Sequence, residues 1–269
     1  MRVGVTNIEK VIRIGRQLYL ATLDCFVEGA PRADEVINGV IGEVVLGEGG
    51  FKVEEFARRI AVEVRERAGA LRAEVKIAAR YPEYKPAPAS GIPTQEIYTL
   101  LGAAVATERG TRRTVGVTAQ GMLASPREAP RLEGFTEAQR AMILEALPVA
   151  TDDQRGLGTL LLELPEECDA DLDAMELLAI VEDSMSSEIY ELMKRSDEGA
   201  IVDKATRRAR YPEDCVRETL RGVAERFGGL PDDVVVSARQ ESLETIHLHN
   251  VVAERSALLG ELRREFSAA

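Results

Sequence analysis

Alternation of apolar and polar positions marks out several strands. Across residues 72–80, Ala73, Val75, Ile77 and Ala79 fall on one side and Glu74, Lys76 and Ala78 on the other, the period of a half-buried strand. The pattern recurs in residues 112–120 through Val115 and Val117, and in 156–164 through Leu157, Thr159 and Leu161. Residues 17–27, rich in Leu, Tyr and Phe, and two C-terminal stretches, 233–238 and 246–253, read as further strands. Helical spacing separates them. Val53, Phe56, Ile60 and Val64 form one apolar stripe, and Leu178, Val181, Met185, Ile189 and Leu192 a second. Val216, Leu220, Val223 and Phe227 form a third, with Pro212 just ahead where a first helical turn accepts proline. Such stripes are core faces. The helices are grouped rather than alternating one-for-one with strands, which predicts an α+β layer on an antiparallel sheet. Two irregular links, residues 84–93 and 123–134, interrupt the pattern, and long links inside a compact domain often carry function.

Composition narrows the function classes. No run reaches the roughly 18 uncharged apolar residues of a membrane span. Met1 to Arg16 has scattered charge and no apolar central block, so a signal peptide is not expected and the localisation expected is cytoplasmic, with no membrane partner. Net charge is −12, which argues against nonspecific nucleic-acid binding yet leaves room for a nucleotide opposed by local arginines and lysines. The absence of tryptophan removes the best stacking platform for single strands. Cys25, Cys168 and Cys215 form no CxxC pair, so they are expected as small buried apolar residues in a reducing compartment.

No Walker A loop and no GxGxxG after a strand is present. The two histidines, His247 and His249, lie in Ile246-His247-Leu248-His249-Asn250. On a strand, i and i+2 point to one side, which suits a metal ligand plus a proton shuttle, or equally two polar residues on a solvated face.

Several longer segments carry a resemblance. They are Ser90-Gly91-Ile92-Pro93-Thr94-Gln95-Glu96-Ile97-Tyr98-Thr99-Leu100, then residues 115–122, then Leu147-Pro148-Val149-Ala150-Thr151-Asp152-Asp153-Gln154-Arg155-Gly156. Val181-Glu182-Asp183-Ser184-Met185-Ser186-Ser187, Lys194-Arg195-Ser196-Asp197-Glu198, Tyr211-Pro212-Glu213-Asp214-Cys215-Val216-Arg217 and Glu244-Thr245-Ile246-His247-Leu248-His249-Asn250 follow in order. Together they resemble the type IB GTP cyclohydrolases, including the archaeal branch, over most of the chain. The resemblance implies a tunnelling fold: one bimodular domain over residues 1–269, with approximate halves 1–120 and 121–269, whose antiparallel sheets are backed by helices. It also implies several subunits closing into a barrel, a homotetramer by family habit, with active sites between subunits. The implied reaction is hydrolysis of GTP at C8 of the purine, with formate released and a dihydroneopterin phosphate formed. A divalent metal activates the attacking water.

Carried over residue by residue, the resemblance implies Glu198 and His247 as metal ligands and Glu213 as the carboxylate that grips the guanine edge. Arg155, Lys194 and Arg195 become candidates for the triphosphate, and His249 for acid–base work. Ser125 stands where the family has a ligand cysteine, and Asp152 where it has a ligand histidine. Residues 27–33 replace a histidine-bearing stretch of which only Arg32 survives. Trading thiolate and imidazole for hydroxyl and carboxylate shifts preference from zinc toward harder ions. The expected cofactor is therefore a divalent metal (iron(II), manganese or magnesium, or the family's zinc) or none. Two readings follow: a cyclohydrolase-like enzyme acting on GTP or a related purine nucleotide, and a catalytically silent purine- or pterin-binding paralogue or partner subunit. A purely structural role is disfavoured, because Glu198, Glu213 and His247 all keep their motif contexts.

Overall fold

The computed structural model describes residues 1–47, 51–125, 134–146 and 153–267. The strands among them make one antiparallel sheet. Its first four are β1 (Arg2–Ile14), β2 (Gln17–Glu28), β3 (Arg72–Pro86) and β4 (Pro93–Thr107). The series continues with β5 (Gly110–Ala124), β6 (Asp153–Leu164), the two-residue β7 (Ser187–Glu188), β8 (Val235–Leu243) and β9 (Val251–Leu258). Spatial order is β1-β2-β3-β4-β5-β6-β8-β9, with β7 paired beside the end of β5. The helices are α1 (Asp34–Leu46), α2 (Val53–Ala68), α3 (Glu137–Ala146), α4 (Ala174–Ser184), α5 (Arg195–Arg207), α6 (Pro212–Arg226) and α7 (Leu259–Ser267). Among the described residues no helix is long and apolar enough to cross a membrane.

The predicted alternation chooses which sheet face is covered. Ala73, Val75, Ile77 and Ala79 of β3 are buried, as are Leu23, Cys25 and Val27 of β2; in β6 the covered face is the other one, with Leu160, Leu162 and Leu164 buried and the expected Leu157, Thr159 and Leu161 only half-buried. The opposite positions are half-buried or exposed: Leu18 and Leu20 of β2 and Ile97 of β4 all face outward. Helices α1 and α2 cover the first strands, and α4 and α6 cover β5, β6 and β8. The stripe expected on α2 is fully inside, with Phe56, Ile60 and Val64 at 1% exposure or less. Each such side chain contributes roughly 1.5–3 kcal/mol of burial. Acidic Glu54 and Glu55 sit in its first turn and basic Arg65 and Arg67 in its last, matching the helix dipole. Gly102 lets α2 cross β4 at backbone contact, since a Cβ there would lie 2.4 Å from the Val53 carbonyl carbon. All three cysteines are buried and free. Burial alone pushes the Cys25 thiol up to about 12, so this cysteine is inert packing.

Two further elements differ from the sequence reading. The stripe through Leu178, Val181 and Met185 does not continue as a helix to Ile189 and Leu192, because α4 stops at Ser184. Ser186 then donates its N–H to Met122 O (3.0 Å), and its Oγ accepts the Ala124 N–H (3.0 Å). Strand bonding to β5 thus outcompetes helix continuation at two serines, poor helix formers in any case. The second difference is the strand expected over residues 246–253: pairing begins only at Val251, opposite Ser242, and residues 244–250 form an exposed bend.

Candidate functional site

Connections from the segments that carry the predicted residues lead toward the C-terminal end of β5. β5 and β6 pair down to Ala124 opposite Asp153, with Arg155 opposite Met122; on its other side Arg155 faces Leu243 of β8. Arg155 is exposed on the sheet face away from the helices, while its neighbour Gln154 is buried. Ser125 directly follows β5 and is half-buried. Asp152 lies outside the described residues.

Three connections bring other segments to this end. The Gln154 carboxamide oxygen accepts the Thr245 N–H at 2.9 Å, tying the segment that carries His247 and His249 to the start of β6. The Arg210 N–H donates to Ala124 O at 2.8 Å, fixing the lead-in to α6 beside Ser125. Residues 187–192 wedge between β4 and β5. β7 pairs with Gly121 and Met122, while Glu96 Oε1 and Thr94 Oγ1 of β4 accept the N–H groups of Glu191 (2.9 Å) and Leu192 (3.2 Å). Gly121 is what admits this wedge, because a Cβ there would meet Met185 Cε at 2.5 Å and Ser187 O at 2.9 Å. Behind it, Glu182 Oε1 accepts from both Lys85 Nζ (2.6 Å) and Tyr98 OH (2.7 Å), locking α4 to β3 and β4. Burial first, then the adjacent Glu182 carboxylate, raises the Tyr98 phenol far above its ordinary value, so it stays a donor.

Helix α5 starts at this end, packed on β5 and β7. Its buried Asp197 accepts four hydrogen bonds. Oδ1 takes the Ala89 N–H (2.8 Å) and Ser90 N–H (2.7 Å); Oδ2 takes Ser90 Oγ–H (2.7 Å) and Lys194 N–H (2.8 Å). Burial pushes this carboxyl up, but these donors outweigh it and hold it well below the usual range. Asp197 therefore pins the irregular link after β3 to the start of α5. Lys194, Arg195 and Glu198 remain exposed around it.

Helix α6 begins in a related way. Asp214 Oδ2 accepts the Tyr211 N–H at 3.1 Å and its Oδ1 accepts from Arg217 at 2.8 Å. Glu213, one residue earlier in the same turn, is exposed and makes none of the hydrogen bonds or ion pairs found among the described residues. A free carboxylate in a helix's first turn, where the dipole favours its charge, suits an incoming planar N–H donor pair.

Three of the four metal-ligand candidates can be placed. Ser125 offers a neutral hydroxyl, Glu198 an exposed carboxylate on α5, and His247 an exposed imidazole. The His247 and His249 rings do share a side, stacked at 5.0 Å between centroids and 18° between planes, but on the bend rather than on a strand. Stacked rings do not aim two nitrogens at one ion. Among the described residues, no three His, Cys, Asp or Glu side chains converge. One chain's described donors therefore do not fit a metal centre, and no chemistry is derived through one. Gln154, Asp197 and Glu182 sit inside the resembling segments, yet the motifs alone give them no role. Only Asp197 carried a local signal, as an acid at the third position of a helix.

The family described as type I GTP cyclohydrolase folE2 matches residues 1–253. The chain belongs to the GTP cyclohydrolase family. Proteins named GTP cyclohydrolase MptA are similar over nearly its whole length. That of Methanococcus aeolicus is 34% identical over 98% of this chain and 94% of its own. That of Methanosarcina mazei is 35% identical over 99% and 92%. That of Haloarcula marismortui is 35% identical over 99% and 93%. Among solved structures, the uricase of Arthrobacter globiformis superposes with a TM-score of 0.60 at 8% identity, covering 96% of this chain and 93% of that one. A uricase from Bacillus fastidious gives 0.57 at 9% identity, over 100% and 97%. At such identity the likeness shows the fold alone: α+β, an antiparallel sheet backed by helices, consistent with the tunnelling fold expected of this GTP cyclohydrolase family member.

Proposed function

We propose that this chain is a GTP cyclohydrolase of the type IB kind, opening the purine of GTP or a related purine nucleotide at C8. The observation that carries the reading is Glu213, the unengaged carboxylate in the first turn of α6. It would accept from guanine N1–H and the exocyclic amine together. Arg155, on the sheet face away from the helices, and Lys194 and Arg195, at the start of α5, supply cations for the triphosphate in an otherwise acidic chain. His249 is the candidate proton carrier.

The site is completed between subunits in this reading, in a homo-oligomeric barrel for which a tetramer is the expected count. Glu198 and His247, with Ser125 and Asp152 as the altered positions, are the residues that would then hold a divalent ion supplying water activation. The order strand-strand-helix-helix-strand-strand in β1–β4 with α1 and α2 recurs in β5, β6, α4, α6, β8 and β9 once the inserted α3, β7 and α5 are set aside, which supports tandem halves.

A second reading, a silent purine- or pterin-binding paralogue or partner subunit, is favoured by the neutral hydroxyl of Ser125 at a ligand position. Incubating the purified full chain with GTP and iron(II), manganese or zinc, and assaying formate and pterin, separates the two. Product that disappears in Glu213→Ala establishes the enzyme; GTP binding without any product establishes the silent paralogue.

A further inference from the structure

Outside this site, a cleft of about 260 Å³ opens between the end of α4 and the middle of α6. Four arginines line it, Arg208, Arg210, Arg221 and Arg226, on a chain whose net charge is −12. Three carboxylates, Asp183, Glu218 and Glu225, share the lining, so the four guanidiniums exceed them by one charge. Arg208 donates to Asp183 O (2.6 Å), and Arg210 to Asp183 O (2.9 Å) and Ser184 O (2.7 Å). These are neutral carbonyls at the end of α4, which has no basic residue in its own last turn. Carboxylates engage the rest unevenly: Glu218 lies 3.6 Å from Arg210 and 3.8 Å from Arg221, while Arg226 donates to Asp183 Oδ2 at 3.2 Å. The Arg221 Nε–H is buried without any hydrogen-bond partner. A buried donor left unmade costs free energy that an incoming acceptor recovers.

We infer that this cleft is a binding site for a phosphate anion, separate from the nucleotide site. Guanidinium forks match phosphate oxygens in geometry and charge. Occupancy would be felt at the nucleotide site, because the Arg210 that lines the cleft also holds Ala124 through its N–H and leads into the turn bearing Glu213. The inference does not depend on turnover of GTP.

The test is calorimetric titration of inorganic phosphate into the full chain, Arg221→Gln and Arg155→Gln. Arg221→Gln removes a guanidinium that makes no hydrogen bond at Nε, so the variant is expected to fold, which a thermal melt checks. A phosphate site weakened about tenfold by Arg221→Gln and unchanged by Arg155→Gln is the expected result. Absence of phosphate binding, or binding lost with Arg155→Gln and untouched by Arg221→Gln, overturns the assignment. Guanosine diphosphate provides the second arm: if it alone responds to Arg221→Gln, the phosphate arrives attached to a nucleotide and the free-anion site is refuted.

Discussion

Helices α5 and α6 both begin with adjacent acids, and each divides the work in one way. At α5, Asp197 is buried and spends both oxygens on four donors, while Glu198 beside it faces solvent. At α6 the order is reversed: Asp214 caps Tyr211 and pairs with Arg217, while Glu213 is left open. The shorter side chain reaches back to its own helix start, and the longer one projects beyond it. Reach therefore sorts architecture from chemistry at both places, and the shared order of residues in the motif does not. The two starts differ in depth, however. Asp197 joins two distant segments, whereas Asp214 serves only its own turn.

Substitutions can break this parallel. Glu213→Ala is expected to lower kcat/KM for GTP by about 100-fold or more, as loss of a charged bidentate acceptor does, with the thermal midpoint unchanged. A large drop in midpoint would show that Glu213 is architectural after all. Glu198→Gln should follow the same pattern more weakly, about tenfold in kcat/KM, again at constant midpoint; full activity would confine the open-acid role to α6. Asp197→Asn should do the reverse, lowering the midpoint by several degrees. The sign with pH follows from its depressed carboxyl. Its stabilisation is complete above the unfolded Asp value of about 3.9 and is lost as pH falls toward the lower folded value. Melts recorded from neutral to acid pH should therefore lose part of their acid limb in Asp197→Asn, and an unaltered limb would refute the role. Asp214→Ala should cost about 1 kcal/mol, the scale of a helix cap, and change turnover by less than about twofold; a denaturant melt beside an assay checks both.

Much of this was legible in the residues. Period two in β3 and β5 identified both strand and buried face, because one face of the sheet meets helices and the other does not; in β6 it identified the strand but pointed to Leu157, Thr159 and Leu161, while apolar residues on both faces let Leu160, Leu162 and Leu164 take the core. The stripe on α2 was equally plain. What failed was local competition. Residues 185–192 keep helical spacing, yet their serines bond to β5, a choice made by a partner some 60 residues away in sequence. The strand through His247 failed because the Gln154 side chain, rather than a strand, takes the Thr245 N–H. β1, β4, α1 and α5 lie outside the segments that period two and helical spacing single out, although α1 buries Ile37, Val40 and Ile41. Of the site, the resemblance named exposed residues, and composition could not. The supports, Asp197, Gln154 and Glu182, have their partners 91 to 108 residues distant or in other elements, and no local pattern announces such a contact.

The wedge that Gly121 admits also bears on how the protein opens. The last turns of most strands in an open sheet are free to peel away. Here the end of β5 is gripped from both flanks, by β6 and by β7. Its amides should consequently exchange with solvent only together with those of both neighbours, making Ser125 the terminus of one of the slowest-opening segments of the chain. An alanine at Gly121 would expel the wedge and turn that same stretch into a fraying end, visible as early deuterium uptake long before the fold itself is lost.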